Sequence, residues 1–203
     1  MACKTPPIGG RCTIMVVTRV EVTPKQGEGM RDVRGDSARR QLLSDHGISA
    51  SDVRSIVGFL IKSDISGEDI STRSNDLFTD PIIEIGSTNM LAMSNSEIFP
   101  IAPDCVITIG FKPGVTDNPG KAALDGFCTI FPQATDAEIS TYITYAFYGL
   151  PADCDSQWLA GTIYNGLIQR ALVSDSAACA NGNWPEIEFP ERPAQVFTTP
   201  ERV

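Results

Sequence analysis

The sequence has few of the residues on which acid–base and metal chemistry most often depend. One histidine, His46, stands among 203 residues, so a zinc site of cysteine and histidine is poorly supplied. None of the six cysteines stands in a C-x-x-C pair, and a chain of this length can build a core without disulfides. The sequence therefore predicts reduced structural or surface thiols rather than a redox pair or a metal site. The cysteines are Cys3, Cys12, Cys105, Cys128, Cys154 and Cys179.

Long apolar runs are also missing. A membrane-spanning helix needs about 18 apolar residues, and a secretory signal needs roughly 7 to 15 near the start of the chain. The longest apolar run near the start is Ile14 to Val17, which follows Lys4 and Arg11. The sequence therefore predicts a cytoplasmic protein with no membrane partner.

Positive charge is in short supply. The chain has 16 lysines and arginines against 25 aspartates and glutamates, a formal net charge of -9 that repels a phosphate backbone, so we expect no nucleic-acid partner. A hydrophobic content of 42% with 20% charged residues is typical of a soluble protein with a packed core. The length fits one domain, or two small halves that share a core.

Motifs for catalysis are weak. The run Gly27-Glu28-Gly29 lacks the lysine–serine or lysine–threonine pair that completes a P-loop, so it indicates a turn before a helix, with an anion contact as the alternative. A glutaminase nucleophile needs a cysteine on a strained turn with a histidine base, and no cysteine here has that sequence context. We predict no catalytic residue, no metal ligand and no cofactor held by this chain.

The other polar and aromatic candidates have structural interpretations. His46 is expected to place a favourable charge near the end of a helix, and Asp153 and Asp155 are expected to be acids at a helix start rather than a catalytic pair. Trp158, Tyr142 and Tyr145 are expected to be core or interface aromatics.

An internal duplication is the strongest pattern in the sequence. Residues 29–35 and 114–120 share the pattern G-x-x-D-x-x-G, 85 positions apart, and residues 78–84 align with 163–169 at the same offset. Upstream, Val20, Val22 and Lys25 align with Ile107, Ile109 and Lys112 at an offset of 87, which indicates a two-residue insertion between positions 26 and 28 of the first copy.

Each copy is predicted to fold as strand, helix, strand, helix and strand. The first copy, residues 14–86, has a strand around Val20 and Val22, a helix over 36–46 that Gly47 stops, a strand over 53–62, a helix from Ser66 to about Phe78, and an extended run over 82–85. The second copy, residues 105–174, has a strand over 107–111, a helix with Pro119 in its first turn, a strand over 138–148, a helix over 151–163 and a strand over 167–173.

The expected fold class is α+β, with tandem duplicated halves related by a pseudo-twofold axis. Helices are expected to cover one face of antiparallel sheets, leaving the other face free to pack on its twin. Residues 1–13 are predicted to be a leader, residues 87–104 a linker, and residues 175–203 a proline-rich linker tail.

One stretch of the second copy resembles a known family. Residues 111–123, FKPGVTDNPGKAA, together with Thr79-Asp80-Pro81-Ile82-Ile83, are similar to the PurS family. The match is to the tandem form at the amino terminus of large phosphoribosylformylglycinamidine synthases (PurL), and it covers roughly residues 14 to 174. The first copy is more diverged: Arg31, Val33 and Arg34 stand where the second copy has Thr116, Asn118 and Pro119.

The resemblance implies a scaffold role in the fourth step of purine synthesis. The full enzyme is an ATP-dependent ligase that uses glutamine-derived ammonia to convert formylglycinamide ribonucleotide into the amidine, so ATP, Mg²⁺ and glutamine are implied for the full enzyme. The remaining synthetase and glutaminase domains are the implied partners, which PurS-like units hold in register. No catalytic residue of the family carries over. The alternative is a free-standing regulatory module that binds a small metabolite in a cleft between its halves.

The two glycine-rich turns are the candidate docking edge for the rest of the synthase. The residues concerned are Gly114, Thr116, Asp117 and Gly120 in the second copy, and Gly29, Asp32 and Gly35 in the first. This family-like stretch is rich in glycine and proline, so it belongs at the surface. The local alternative is a helix cap, in which Asn118 caps a helix that begins at Pro119 and Asp117 adds a favourable negative charge.

Overall fold

The computed structural model describes residues 14–27 and 29–191, and they form an α+β fold around one six-stranded antiparallel sheet. The strands are β1 (Val16–Pro24), β2 (Asp52–Ser63), β3 (Glu84–Thr88), β4 (Cys105–Phe111), β5 (Glu138–Tyr148) and β6 (Gln169–Ser174). The helices are α1 (Val33–His46), α2 (Gly67–Leu77), α3 (Asn118–Ile130), α4 (Ser156–Ile163) and α5 (Ser176–Ala180), and a 3₁₀ turn spans Ala92–Ser94. In the described part of the chain, every helix is too short or too polar to cross a membrane.

The strands lie in the order β3-β1-β2-β5-β4-β6, so the long strands β2 and β5 form the centre. Their ladder runs from Asp52 opposite Tyr148 to Lys62 opposite Glu138. The expectation of separate sheets that pack face to face is therefore wrong. The two halves join edge to edge, because β2 and β5 pair their backbone amide and carbonyl groups with each other along almost their full length.

Four helices cover one face of the sheet, which we call the helical face. Alternate residues of a strand point to opposite faces, so Val20 and Ile61 on β1 and β2 meet Phe127 of α3 on this side. A second cluster on the same face packs strand side chains against α1 and α4. Its most buried members include Leu42, Ile107, Phe147 and Leu159.

The opposite face is covered by irregular chain and a short helix. The buried side chains of Met93 and Phe99, and Cys179 of α5, pack against Ile56 and Val106 of the sheet. Beyond α5, residues 184–191, which belong to no helix or strand and which we call the strap, cross the same face. Ile187 of the strap is buried against Leu60 and Tyr142. Parts of both segments that the sequence assigns to linkers thus pack on the sheet, while residues 1–13 and 192–203 lie outside the described residues.

Several predicted boundaries agree with the structure and others are wrong. The strand over 138–148 is confirmed, Gly47 ends α1 with a left-handed φ of 69°, and Pro119 lies in the first turn of α3. The helix predicted over 151–163 begins only at Ser156, because Asp155 caps it. The extended run predicted from residue 82 begins at Glu84, because a turn closed by a bond from the Ile83 amide to the Asp80 carbonyl precedes it.

Candidate functional site

The first candidate turn connects β1 to α1 and is fastened by one aspartate. Gly29 has a left-handed φ of 81°, which favours glycine. Asp32 is the N-cap of α1, and its Oδ1 accepts bonds from the Gly35 amide at 2.7 Å and from the Ser55 hydroxyl at 2.7 Å. Its Oδ2 accepts the Ser55 amide at 2.5 Å. One carboxylate therefore caps the helix and ties it to β2, an arrangement that we call a clamp.

The second candidate turn, between β4 and α3, has the same arrangement. Gly114 has a φ of 83°. The carboxylate of Asp117 accepts bonds from the Gly120 amide at 2.7 Å, the Thr141 amide at 2.6 Å and the Thr141 hydroxyl at 2.9 Å. The cap expected from Asn118 is wrong. Asp117 is the N-cap, because its extended backbone aims the carboxylate at the first free amides of a helix that begins at Asn118.

The second glycine of each turn lets a helix lie directly on a strand. A Cβ at Gly35 would overlap the Val53 carbonyl oxygen of β2. A Cβ at Gly120 would lie 2.8 Å from the Ile139 carbonyl oxygen of β5, closer than real Cβ atoms come. Any side chain here would push the helix off the backbone of the strand.

The shared pattern G-x-x-D-x-x-G thus has a structural role at each of its fixed positions. Asp32, Gly35, Asp117 and Gly120 serve the fold, and the local alternative to docking accounts for their presence. Gly29, Gly114 and Thr116 are exposed at the two turns. Docking stays a prediction, and these exposed positions are where a partner could make contact.

The structure places the two turns at opposite ends of the sheet. Gly29 follows β1 and Gly114 follows β4, and the antiparallel pairings through β2 and β5 make β1 and β4 run in opposite directions. The candidate residues therefore form two separate surfaces rather than one continuous edge.

Each turn borders a cleft. The cleft beside the second turn has a volume of about 340 Å³ and is lined by residues that include Phe111, Thr116, Lys121 and Phe189. The cleft beside the first turn is smaller, about 190 Å³, with Met30, Arg31, Arg34 and Ile83 among its lining residues. Both clefts combine apolar walls with charged side chains of both signs, because Asp117 and Glu138 also line the first of these clefts and Asp32 and Glu84 the second.

A lysine at the end of β1 and another at the end of β4 brace a neighbouring turn. Lys25 donates its Nζ to the Pro81 carbonyl, and Lys112 donates its Nζ to the Gly166 carbonyl. In these braced turns, Asp80 Oδ1 accepts the Ile82 amide at 2.9 Å, and Asn165 Oδ1 accepts the Leu167 amide at 3.0 Å. Ile82 and Leu167 are 74% and 86% exposed, so each turn presents an apolar side chain to solvent.

The sequence analysis missed the strand partners of the two aspartates. Ser55 and Thr141 are buried polar residues on the helical face of the sheet, where their strand neighbours include Val53 and Ile139. A polar residue at an inward-facing position of an apolar alternation needs a hydrogen-bond partner, which is the signal that could have revealed both clamps.

A second missed feature is a buried acid on the opposite face. Glu21 is 2% exposed, and its carboxylate accepts the Tyr142 hydroxyl at 2.6 Å and the Ala92 amide at 2.6 Å. Burial raises the pKa of Glu21 above its usual range, and burial together with the neighbouring Glu21 charge raises the pKa of Tyr142. The guanidinium of Arg19 lies 5.9 Å from the centre of the Tyr142 ring. The bonds of Glu21 therefore join β1 to β5 and to the segment after β3.

The remaining candidates have structural contacts. His46 is in the last turn of α1 and meets Trp158 edge to face, with ring centroids 5.4 Å apart, while Trp158 is 49% exposed. Asp155 caps α4, as expected for an acid at a helix start, and Asp153 lies in the preceding turn. Tyr145 is half-buried among the residues that pack against the cluster on α1 and α4.

Four cysteines lie in the described residues, and all four have free thiols. Burial raises the pKa of Cys105 to about 11 and that of Cys179 to about 12. These two thiols therefore stay protonated near neutral pH, which makes them poor nucleophiles. Cys3 and Cys12 lie outside the described residues.

Over residues 14–27 and 29–191, no group of three or more histidine, cysteine, aspartate or glutamate side chains is arranged to hold a metal ion. No protein-family model matches the chain, and no curated protein matches it significantly.

Proposed function

We propose that this chain is a scaffold domain of phosphoribosylformylglycinamidine synthase, built from two PurS-like copies that dock the synthetase and glutaminase parts. The observation that carries the proposal is that the family-like residues 111–123 form one continuous feature. They include the end of β4, an exposed turn and the first turns of α3, and several of them line the cleft beside the second turn. Such a site suits contact with another domain.

The strand registers support a duplication with pseudo-twofold symmetry. Val20 lies opposite Phe59 on β2, and Ile107, 87 positions later, lies opposite Tyr145 on β5, which is 86 positions after Phe59. The strand order β3-β1-β2-β5-β4-β6 also reads as a mirrored series if β4, β5 and β6 correspond to β1, β2 and β3. A tandem repeat joined in this way imitates a homodimer within one chain.

The central ladder supports the same relation. The clamped residue Ser55 lies opposite Tyr145, and the clamped residue Thr141 lies opposite Phe59. If Ser55 corresponds to Thr141 and Phe59 to Tyr145, these two pairs exchange under a twofold rotation. The axis then passes between Val57 and Ile143, which lie opposite each other. One twofold rotation therefore accounts for the offsets of 85 to 87 residues between corresponding positions of the two copies.

The test separates docking from local capping at the second turn. Thr116 is exposed, whereas Asp117 holds the clamp. We expect Thr116→Ala and Thr116→Arg to leave the melting temperature of the chain unchanged. Both should weaken amidine synthesis by the reconstituted synthase, the arginine variant by about tenfold, which is the effect of losing roughly 1.4 kcal/mol of binding at subsaturating chain.

Thr129→Ala, at an exposed threonine of α3 away from the turn, is the matched control and should change neither quantity. Asp117→Ala should lower both quantities. If activity follows only the folded fraction in all four variants, the turn is a helix cap and the docking proposal fails.

The alternative, a metabolite-binding module, is favoured by one feature, the cleft of about 340 Å³, whose charged lining residues are Lys112, Lys121, Asp117 and Glu138. Its lining residues all come from 111–140 and 189–190, so this cleft lies beside the second turn rather than between the halves. Thermal shifts with anionic metabolites test it. Stabilisation by a phosphate- or carboxylate-bearing ligand that Lys121→Ala abolishes, in a chain that fails to support amidine synthesis, would favour this alternative.

A further inference from the structure

The strap of residues 184–191 lies on the sheet as a bound peptide does. Exposure alternates at its centre: Glu186 and Glu188 are exposed, and Ile187 between them is only 2% exposed. Phe189 packs beside the same cluster. An extended segment with alternate side chains in pockets is a common form of peptide recognition.

Side chains of four strands hold the strap. Arg19 of β1 donates to the Ile187 carbonyl at 3.2 Å, and Arg170 of β6 donates to the Glu188 carbonyl. Thr108 of β4 donates to the Pro185 carbonyl at 3.4 Å. Lys62 of β2 meets the Glu191 carboxylate at 2.7 Å. Contacts of this kind recognise an extended backbone rather than a continuation of the sheet ladder.

The groove beneath the strap is shaped for one apolar side chain. Gly110 of β4 lies directly under Ile187, and a Cβ at Gly110 would overlap the isoleucine Cδ1. Gly58 of β2 lies against the Tyr142 ring in the same way, so the ring sits flat on the sheet beside Leu60 and Ile187. The absence of a side chain at Gly110 and Gly58 thus leaves room on the sheet for Ile187 and the Tyr142 ring.

Charge in the groove complements the strap. The cationic side chains of Arg19 and Lys62 pair with Glu186 at 3.5 Å and Glu191 at 2.7 Å, in a chain whose net charge is -9. Lys62 also lies 5.3 Å from the centre of the Phe189 ring. The groove therefore places two cationic side chains beside its apolar pockets, within ion-pair distance of acidic residues of the strap.

We propose that this groove is a peptide-binding site for segments that carry glutamates one position before and four positions after a buried isoleucine, and that the strap is its occupant in cis. An acidic segment of a partner with the same alternation would compete for the groove. Phe189 and Pro190 also line the cleft beside the second turn, so release of the strap would reshape that cleft. The inference rests on the strap contacts and is independent of the synthase proposal.

The experiment uses the full chain and a labelled peptide with the sequence of residues 183–191. Ile187→Glu places a charge in the apolar pocket and should free the groove of its own strap, and Ile187→Ala is a milder version. Fluorescence anisotropy should show the peptide binding to both variants at least about tenfold more tightly than to the unchanged chain, the discrimination given by one buried isoleucine. Leu43→Glu, at an exposed position of α1, is the matched control and should bind no more tightly than the unchanged chain.

Two further arms test specificity. A peptide that carries glutamate in place of its isoleucine should bind the Ile187→Glu chain at least about tenfold more weakly. Adding Gly110→Val to that chain should abolish binding, because the added side chain fills the pocket. Folded Ile187→Ala or Ile187→Glu chains that bind the peptide no better than the unchanged chain overturn the proposal. Failure of both variants to fold also overturns it, because an occupant that cannot leave is part of the fold rather than an exchangeable ligand.

Discussion

The turns that follow β1 and β4 share a clamp and differ in what surrounds it. In each, one aspartate caps a helix and ties it to a central strand, through Ser55 in the first half and Thr141 in the second. The first clamp borders a cleft of about 190 Å³, whereas the second borders one of about 340 Å³ that also includes Phe189 of the strap. In both turns the aspartate and the second glycine of the pattern serve the fold, so a function specific to one half must lie in the exposed residues around its turn.

The largest expected effect is loss of a clamp. Asp32→Ala and Asp117→Ala should each lower the free energy of unfolding by about 2 to 4 kcal/mol, because each removes a helix cap and leaves a strand amide without its acceptor. Urea denaturation measures the change. Asp155→Ala is the control, because Asp155 caps α4 without a bond to a strand, and it should cost only about 0.5 to 2 kcal/mol. If the loss of unfolding free energy at Asp32 and Asp117 is no larger than at Asp155, the bonds to the strands do not stabilise the fold as we expect.

Close helix–strand approach should give the next largest effect. Gly35→Ala and Gly120→Ala should each cost about 1 to 3 kcal/mol, since the new methyl group meets strand backbone that cannot move aside cheaply. Gly161→Ala is a matched control in α4, where a Cβ meets nothing within 4 Å, and it should stabilise the chain by up to about 1 kcal/mol. If Gly35→Ala is neutral while Gly120→Ala is costly, the two halves do not share the close approach.

The sequence predicted much of this comparison, and the reasons are local. The pattern around Asp117 and Pro119 carries its own turn and helix-start chemistry, so the element and its position could be derived from neighbouring residues. The way the halves join could not. Whether β2 pairs with β5 or packs face to face with it depends on contacts between residues 76 to 96 positions apart, and both arrangements bury the same alternating apolar residues. Ser55 and Glu21 were missed for the same reason, because their partners are distant in sequence.

We expect the stability contributed by Glu21 to depend on pH. The second half has no acidic counterpart: when Val20 is aligned with Ile107, the position of Glu21 is taken by Thr108 on β4. Burial raises the pKa of folded Glu21 above 4.5. The stability contributed by the protonated acid is therefore fully present below about pH 4.5 and is lost as pH rises through the folded pKa.

Relative to the unchanged chain, Glu21→Gln should therefore gain stability between pH 4 and pH 8, by about 1.4 kcal/mol for each unit of pKa shift. Chemical denaturation at several pH values measures this difference. Glu97→Gln, at an exposed glutamate, is the matched control, and the change with pH at Glu21 should exceed the change measured there. If the stability difference between Glu21→Gln and the unchanged chain does not change with pH, burial does not raise the pKa of Glu21.

We propose that the chain is a scaffold for amidine synthesis. The most direct measurement of this role is the rate of amidine formation by separately purified synthetase and glutaminase parts, with and without this chain. Glutamine, ATP, Mg²⁺ and formylglycinamide ribonucleotide are supplied in every reaction. The account predicts that the rate rises with added chain and saturates at a fixed stoichiometry, while the chain alone turns over neither glutamine nor ATP. A rate that is unchanged by the chain, or turnover by the purified chain that is lost on mutating one of its own residues, would contradict the account.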